Sequence, residues 1–341
     1  MSSETQARRI VLAARPQGEP KNTDFRLEDF AVPAPGPGQV LLKTRFLSLD
    51  PYMRGRMNDS KSYAPSVALN DPMVGEVVAE VVDSQLDGFA PGEHVLAHLG
   101  WVSHGLSDGK GLRKIDADQA PLQSYLGVLG MPGFTAYAGL REIGKPKAGE
   151  TVVVAAASGP VGSLVGQLAQ RVGARAVGIA GGARKCQFAK DVLGFDAVID
   201  HRAEDFPAAL AAACPDGIDV YFENVGGAVW QAVFPLLNQF GRVPVCGLIA
   251  DYNGSPALPD GISVPALMRG ILTRSLSIRG FINYDLDTLF PDFLEEVGAG
   301  VRDGSIRHRE DIVDGLENAP QAFIGLLKGS NFGKLLVKVG D

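Results

Sequence analysis

The stretch Thr151–Lys185, TVVVAAASGPVGSLVGQLAQRVGARAVGIAGGARK, predicts a strand, a tight turn, a helix and a second strand. Thr151–Ala155 is a short apolar, β-branched run without charge, which is typical of a strand buried on both faces of a parallel sheet. Apolar residues then recur at helical spacing until Gly173. Ala176–Ala180 supplies the second strand and completes a βαβ unit.

The turn between the first strand and the helix consists of small residues. Ala156, Gly159 and Gly162 form the pattern A-x-x-G-x-x-G, with Pro160 and Val161 between the two glycines. Such a turn lets a pyrophosphate approach the backbone N–H groups at the helix start, where the helix dipole favours an anion. A glycine triplet alone is weak evidence, and a plain packing turn is the alternative. The strand, turn, helix and strand together favour a dinucleotide site.

The end of the second strand predicts which dinucleotide is bound. An enzyme that selects NAD usually has an acidic residue there, which holds the ribose 2′-OH. This chain has the small residues Ala180–Gly182 instead, followed by Arg184 and Lys185, and Arg202 comes after the next strand. Two charge-assisted hydrogen bonds of about 1.5–3 kcal/mol each would favour NADP over NAD by about a hundredfold or more. The alternative is that these cations only solvate a helix start.

Composition excludes several classes of protein. The chain has 341 residues, 45% of them hydrophobic, and a net charge of −7. With no long basic run, a nucleic-acid or anionic-membrane partner is not expected. No apolar stretch reaches the ~18 residues that span a bilayer, so we expect a cytoplasmic protein. Three widely spaced cysteines, Cys186, Cys214 and Cys246, fit a reducing compartment.

Residues 1–125 predict a small, β-rich, barrel-like domain. The loop Ser48–Pro65 is rich in Arg, Tyr and Met, and loops of this length often line a site. No cysteine precedes Cys186, so no thiolate zinc site is possible in this domain. His94 and His98 would lie about 13 Å apart in a strand, too far to share one ion. We therefore expect no metal. The expected strands are Arg9–Ala13, Gln39–Leu47, Gly75–Val82 and His94–Leu99.

From Leu126 the chain alternates strands and helices. Six strands in this alternation predict a doubly wound parallel sheet, with cofactor and substrate outside the carboxyl ends of the strands. These ends lead to Asn224, to Gly247–Tyr252 and to Ile282–Asn283. The later strands are expected at Asp196–His201, Ile218–Glu223, Gly241–Leu248 and Leu276–Phe281. The helices are expected near Arg184–Leu193, Ala203–Ala213, Ala228–Gln239 and Val264–Thr273.

The C-terminal part predicts a discontinuous first domain. Two helical stretches, Leu289–Val301 and Leu316–Leu327, lead to a last strand at Lys334–Val339. A lone terminal strand needs a sheet to join, so we expect it to return to the first domain. This gives residues 1–125 with 300–341 as one domain and 126–299 as the dinucleotide-binding domain.

Specific motifs carry a family resemblance over nearly the whole chain. The sequence resembles the medium-chain dehydrogenase/reductase superfamily, in the zinc-free branch of the leukotriene B4 12-hydroxydehydrogenase/prostaglandin reductases, plant alkenal double-bond reductases and bacterial curcumin reductase. The resemblance implies a GroES-like β-rich domain and a Rossmann domain. The matching motifs are DPYMRGRM (50–57), GLRKID (111–116), LGMPGFTAYAGL (129–140), AAASGPVGSLVGQLA (155–169), GIAGGARKC (178–186), GFDAVID (194–200), YFENVGG (221–227), CGLIADYN (246–253), RGFI (279–282) and NFGKLLVKV (331–339).

The resemblance assigns roles by position. Lys185 is similar to the family's 2′-phosphate ligand, beside Gly182, and Asn331 to a ligand that reaches the cofactor from the C-terminal segment. Tyr252 matches a tyrosine that hydrogen-bonds the substrate carbonyl, and Tyr52 resembles a second aromatic wall of the pocket. The residues similar to those around the nicotinamide are Met131, Thr135, Asn224, Cys246 and Phe281, and the strand ends add Gly247 and Asn283.

One pair departs from the family pattern. Many relatives have Tyr-Lys after the third strand, whereas this chain has His201-Arg202. A neutral imidazole donates one hydrogen bond and an arginine offers a bidentate cation, so NADP preference should survive. Because histidine titrates near neutrality, NADPH affinity is expected to depend on pH.

The resemblance implies NADPH-dependent, metal-free reduction of the C=C bond of an α,β-unsaturated aldehyde or ketone. Hydride adds to the β-carbon, and Tyr252 with the cofactor ribose hydrogen-bonds the enolate oxygen. Water or Tyr252 supplies the α-carbon proton. The alternatives are an NADP-dependent secondary-alcohol dehydrogenase, a quinone reductase, or an NADPH-binding protein with little catalysis.

Relatives of this kind imply a homodimer that pairs the last strands of two sheets, here Leu276–Phe281. The Gly- and Pro-rich segment Asn253–Val264 is expected to form a rim of the pocket.

Overall fold

The computed structural model describes residues 4–254 and 261–340, so the centre of the expected rim Asn253–Val264 lies outside the described residues. Within these ranges no helix combines the length and apolarity needed to cross a membrane. The strands are β1 (Thr5–Leu12), β2 (Phe25–Val32), β3 (Val40–Ser48), β4 (Val77–Ser84), β5 (His94–Ala97), β6 (His104–Ser107), β7 (Arg113–Ile115), β8 (Thr151–Ala155), β9 (Arg175–Ala180), β10 (Ala197–Asp200), β11 (Ile218–Phe222), β12 (Leu237–Val245), β13 (Ser277–Gly280), β14 (Glu310–Asp314) and β15 (Lys334–Lys338). The α-helices are α1 (Met53–Arg56), α2 (Met131–Ala138), α3 (Pro160–Arg171), α4 (Ala183–Asp191), α5 (Phe206–Ala213), α6 (Gly227–Val233), α7 (Val264–Arg274), α8 (Phe290–Arg302) and α9 (Ala319–Leu327).

The chain divides into two units. Unit 1 comprises Met1–Leu126 with Glu310–Asp341, and unit 2 comprises Gly127–Arg309. The boundary expected at residue 300 falls inside α8, which belongs to unit 2. The chain enters unit 1 again at Glu310, the first residue of β14.

Unit 1 contains a mainly antiparallel sheet and a two-stranded sheet of β1 and β2. The larger sheet has the order β14-β15-β3-β4-β5-β7, and β6 also pairs with β3. The terminal strand β15 joins β3, with Leu336 opposite Ser48. The core behind the sheet is apolar and aromatic: Trp101 stacks on Phe25 at 5.6 Å and meets Phe323 edge-on at 5.8 Å. Sequence patterns missed β2, β6, β7 and β14, which are short or carry charged residues.

Unit 2 is the expected doubly wound parallel sheet. Its strand order is β10-β9-β8-β11-β12-β13, and every neighbouring pair is parallel. The strand order reverses at β8 and β11: the chain first adds β9 and β10 on one side of β8 and then crosses to add β11, β12 and β13 on the other side. Folds of this kind bind their ligands at the point where the strand order reverses. All five residues of β8 are buried, as its uncharged β-branched sequence predicts.

The helix predicted over Ala228–Gln239 is wrong in its second half. The helix α6 ends at Val233, a 3₁₀ turn covers Phe234–Leu236, and β12 already begins at Leu237. Pro235 explains this difference, because it has no N–H for a continuing helix and its ring clashes with the preceding turn.

Candidate active site

The two glycines of the first turn in unit 2 leave little room for a Cβ. Ala156 follows β8 in the left-handed region with φ of 53°. A Cβ on Gly162 would lie 2.4 Å from the Ala156 carbonyl oxygen, and one on Gly159 would lie 3.1 Å from the same atom. Gly159 precedes α3, whose first residue is Pro160. The turn therefore presents the helix N-terminus closely enough for a pyrophosphate.

A second glycine turn, at the end of β9, meets the side chains that follow β10. A Cβ on Gly181 would lie 2.8 Å from His201 Nε2 and 3.0 Å from Arg202 Nε. Lys185 lies in the first turn of α4, which begins directly after Gly182. We call Gly181, Gly182, Lys185, His201 and Arg202 the phosphate corner. It collects two cations and an imidazole beside a helix N-terminus, which suits a phosphate.

Asp200 holds the phosphate corner together, although sequence reasoning gave it no role. Its Oδ1 accepts hydrogen bonds from the backbone N–H groups of Gly182 and Arg202, each at 2.9 Å. These two bonds lower the pKa of the carboxyl. The signal was present, since an acidic residue directly precedes His201.

His201 is neutral near pH 7. Packing of the protein around its imidazole lowers its pKa, and the charges of Arg202 and Lys185 lower it further, against an opposing effect of Asp200. An anion at the phosphate corner would act in the opposite direction and favour the imidazolium.

Asn224 joins the carboxyl ends of three strands. Its Nδ2 donates to the Ala155 carbonyl at the end of β8, and its Oδ1 accepts from Cys246 Sγ after β12, both at 2.8 Å. Burial, and to a lesser extent the charge of Glu223, raises the pKa of the Cys246 thiol. Cys246 is therefore a protonated hydrogen-bond donor that orients Asn224 and not a nucleophile.

Glu223 is a buried carboxyl next to Asn224 to which the sequence analysis gave no role. It is 2% exposed. Its Oε1 accepts from the Tyr221 hydroxyl at 2.9 Å and from the N–H groups of Val225 and Gly226 at 2.7 and 2.9 Å. Burial raises its pKa, although these hydrogen bonds oppose the shift. The carboxyl thus fixes the loop that carries Asn224, and an acidic residue ending an apolar strand was the available signal.

Tyr252 follows the 3₁₀ turn Ile249–Asp251, and its hydroxyl lies against the preceding loop. The backbone N–H of Leu248 donates to this hydroxyl at 3.3 Å. A Cβ on Gly247 would lie 3.3 Å from the same oxygen, so the hydroxyl packs closely against Gly247.

The other predicted residues of unit 2 have local partners. Thr135 Oγ1 donates to the Met131 carbonyl at 2.8 Å within α2. Phe281 is buried, with its ring centroid 6.3 Å from that of Phe222 and its Cζ 2.5 Å from the place of a Cβ on Gly139. Asn283 begins a 3₁₀ turn.

Two predicted site residues, Tyr52 and Asn331, belong to unit 1 and have local partners there. Tyr52 precedes α1, and the Arg56 guanidinium lies 5.9 Å from its ring centroid and 4.2 Å from that of Tyr63. Burial raises the pKa of Tyr52, and the carboxyls of Asp50 and Glu76 raise it further. Asn331 Nδ2 donates to the Gly333 carbonyl at 2.8 Å.

The loop that carries Tyr52 is tied down by arginines. Arg54 is 3% exposed and donates to Asn58 Oδ1 at 2.6 Å and to the Gly18 carbonyl at 2.8 Å. Arg56 donates to the Ala64 carbonyl at 2.7 Å. Within residues 4–254 and 261–340, no three His, Cys, Asp or Glu side chains are grouped so as to hold a metal ion.

The fold and these turns define the class: a two-unit oxidoreductase with a doubly wound dinucleotide-binding sheet. One family model, described as the N-terminal domain of oxidoreductase, matches residues 8–115, and another, described as zinc-binding dehydrogenase, matches residues 160–298. The chain is 53% identical to the NADPH-dependent curcumin reductase of Escherichia coli, over 98% of this chain and 97% of that protein. It is 39% identical to a 2-alkenal reductase (NADP(+)-dependent) of Nicotiana tabacum, over 99% of both chains.

A solved structure supports the same family assignment. CurA from Vibrio vulnificus in complex with NADPH matches with a TM-score of 0.94 and 50% identity, over 98% of this chain and 99% of that one. The chain therefore belongs to the medium-chain dehydrogenase/reductase superfamily, in the branch of the curcumin, 2-alkenal and prostaglandin reductases. The resemblance found in the motifs is confirmed.

Proposed function

We propose that this NADPH-dependent oxidoreductase reduces the C=C bond of α,β-unsaturated aldehydes and ketones. The observation that carries the cofactor assignment is the phosphate corner, where the side chains of His201 and Arg202 lie against Gly181 at the start of α4. The 2-alkenal and curcumin reductases among the relatives support the substrate class.

The residues present fit NADPH. The turn Gly159–Gly162, with Pro160 and Val161, would hold the pyrophosphate, and the phosphate corner would hold the 2′-phosphate. When bound, NADPH supplies the hydride that adds to the β-carbon of the substrate. The residues proposed around the nicotinamide are Met131, Thr135, Asn224, Cys246, Gly247, Phe281, Asn283 and Asn331.

Tyr252 is proposed to stabilise the enolate. Negative charge develops on the carbonyl oxygen of the substrate as its β-carbon is reduced, and a neutral donor suffices there. A tyrosine hydroxyl is both a donor and an acceptor, and the Tyr252 hydroxyl accepts from the backbone N–H of Leu248. One such donor contributes about 2.7–4 kcal/mol in comparable oxyanion sites.

A direct assay tests this function. Purified protein is mixed with NADPH or NADH and a trans-2-alkenal or an aryl enone, and the products are identified by mass spectrometry. The expected product is the saturated carbonyl, formed faster with NADPH. Turnover of secondary alcohols with NADP⁺ or of quinones, without enone reduction, would contradict the proposal.

The role of Tyr252 is tested separately with a variant that lacks its hydroxyl. Tyr252→Phe should lower kcat on the enone by about 10²–10³-fold, as removal of one oxyanion donor does. Tyr284→Phe is the matched control, because Tyr284 is a 51% exposed tyrosine of the same unit. Full kcat in Tyr252→Phe would refute the oxyanion role.

The edge strand β13 supports a homodimer. Within the described residues β13 pairs only with β12, so its other edge offers backbone groups for a second copy. Beside it, α7 exposes an apolar stripe, with Val264 72%, Met268 58% and Leu272 79% exposed. The expected mass in light scattering is that of a dimer, and Leu272→Glu should produce monomers. Val82→Glu in unit 1 is the control.

The free thiols Cys186, Cys214 and Cys246 suit a reducing compartment, and we place the protein in the cytoplasm. Cell fractionation tests this location.

A further inference from the structure

The two strands that end at the phosphate corner stay paired up to their last residues. In the parallel pairing of β9 with β10, Asp200 lies opposite Ala180. The next residue, His201, donates its backbone N–H to the Ala180 carbonyl at 3.0 Å. The Asp200 carbonyl accepts from the Ala203 N–H at 3.1 Å. The segment that carries His201 and Arg202 is therefore a tight turn held against the end of β9.

The Asp200 side chain connects this turn to the glycine turn after β9. Its Oδ1 accepts from the backbone N–H groups of Gly182 and Arg202, each at 2.9 Å. Gly182 has φ of 91°, and its carbonyl in turn accepts from the Lys185 N–H at 3.1 Å. One carboxylate oxygen therefore fixes the two backbone segments that carry the cations Arg202 and Lys185 relative to each other.

The charge of Asp200 has the opposite effect on a bound phosphate. A carboxylate repels a phosphate dianion and offsets part of the attraction of nearby cations. This charge reaches the phosphate corner: burial and the charge of Arg202 lower the pKa of His201, and Asp200 opposes them. The position of the Asp200 oxygen and the charge of the Asp200 carboxylate should therefore act in opposite directions on NADPH binding.

We infer that Asp200 is a positioning residue for cofactor selectivity: its Oδ1 holds Gly182 and Arg202 in the arrangement that binds the 2′-phosphate of NADPH, while its charge weakens that binding. This role rests on the proposed 2′-phosphate site at the phosphate corner. An uncharged side chain with the same oxygen should bind NADPH more tightly than the wild type does. A side chain without that oxygen should bind NADPH more weakly.

Two variants separate the oxygen from the charge, and titration calorimetry with NADPH and NADH, without substrate, measures both. Asp200→Asn keeps a carbonyl oxygen that can accept from both N–H groups, and it removes the charge. NADPH should bind about two- to fivefold more tightly, as expected for removal of one like charge near a solvated site. Asp200→Ala removes the oxygen as well, and NADPH should bind about fivefold or more weakly than in the wild type. NADH affinity should stay within about twofold in both variants, because NADH has no 2′-phosphate.

Asp196→Ala is the matched control. Asp196 Oδ2 accepts from the Ala176 N–H at 2.8 Å, which connects β9 and β10 at their other ends. The control variant loses a carboxylate–backbone bond between the same two strands and leaves the phosphate corner intact. Its ratio of NADPH to NADH affinity should equal that of the wild type. A merely structural role of Asp200 would lower the stability of both alanine variants and leave this ratio unchanged in both.

The outcomes are distinguishable. An unchanged affinity ratio in Asp200→Ala, or an equal weakening of NADPH and NADH, would overturn the positioning role. Tighter NADPH binding in both Asp200 variants would overturn it too, because the charge alone would then matter. Weaker NADPH binding in Asp200→Asn than in the wild type would overturn the separation of oxygen from charge. A wild type that binds NADPH no more tightly than NADH would instead overturn the proposed 2′-phosphate site, and the role of Asp200 with it.

Discussion

The phosphate corner of unit 2 and the Lys334–Asp50 ion pair of unit 1 use ionic side chains in opposite ways. At the corner, His201 and Arg202 are exposed and come from one short segment of chain. In unit 1, Lys334 and Asp50 are buried and 284 residues apart in sequence. From this difference we propose that the corner holds its charges for a ligand, whereas the buried Lys334–Asp50 pair is part of the fold. Substitutions should therefore affect ligand binding in one region and stability in the other.

The largest effect is expected from Lys334→Met. The variant leaves the Asp50 carboxylate buried without its cation, which should cost about 3–5 kcal/mol in the free energy of unfolding measured in urea. Lys328→Met is the control, since Lys328 and Glu19 form an exposed ion pair at 2.6 Å, worth at most about 1 kcal/mol. Equal losses in both variants would remove the distinction between a buried and an exposed pair.

The next largest effect is expected from Arg202→Ala, which should leave the fold intact and weaken the binding of NADPH. Loss of one charge-assisted contact of about 1.5–3 kcal/mol should lower NADPH affinity by roughly tenfold to a hundredfold, with NADH affinity unchanged. Titration calorimetry with both cofactors measures this. Lys190→Ala is the control, because Lys190 lies in the last turn of α4, at the end of that helix away from the phosphate corner. An equal loss of NADH affinity would mean that Arg202 does not bind the 2′-phosphate.

Whether a region can be predicted from the sequence depends on how far apart its residues lie along the chain. The glycine turns, Lys185, His201 and Arg202 lie within about fifty residues, and each follows a strand whose apolar pattern is visible in the sequence. The fold class was predictable for the same reason. The partnership of Lys334 with Asp50 depends on strand pairings between distant segments, which no local pattern encodes.

A smaller effect is expected from Glu76, whose ionisation makes the free energy of unfolding depend on pH. Burial and the Asp50 carboxylate raise its pKa in the folded protein from an ordinary 4.5 to about 7, so the folded state holds a proton that the unfolded chain releases. This contribution to stability is complete below about pH 4.5 and is lost as the pH rises through 7. Glu76→Gln should therefore be more stable than the wild type at about pH 8, by about 1–3 kcal/mol after allowance for partial exposure, and similar at about pH 4.5.

Thermal melts between about pH 4.5 and pH 8 measure this difference in stability. Glu80→Gln is the control, because Glu80 is a half-buried carboxyl that pairs with Arg45 at 3.1 Å. A constant difference at every pH would show that packing and not ionisation separates Glu76→Gln from the wild type.

His201 makes the phosphate corner sensitive to pH. Its pKa is lowered in the protein without ligand, and a bound 2′-phosphate dianion would raise it, so binding takes up a proton. NADPH affinity should strengthen by up to about tenfold between about pH 8 and pH 6, while NADH affinity stays flat. His201→Asn should abolish the difference. A flat NADPH affinity in the wild type would remove His201 from the 2′-phosphate site.

The smallest effect tests strain in the first glycine turn. Ala156 is exposed and has φ of 53°, a conformation that costs a residue with a Cβ about 1–2 kcal/mol. Ala156→Gly removes that cost, but the greater freedom of glycine in the unfolded chain returns about half of it. The expected net gain is about 0.5–1 kcal/mol in urea unfolding, with NADPH affinity within about twofold because the backbone N–H groups stay in place. Ala157→Gly is the control, since Ala157 is fully buried and its φ is not positive, so glycine there should destabilise. A destabilised Ala156→Gly would mean that the methyl group of Ala156 contributes more by restricting the unfolded chain than it costs in the turn.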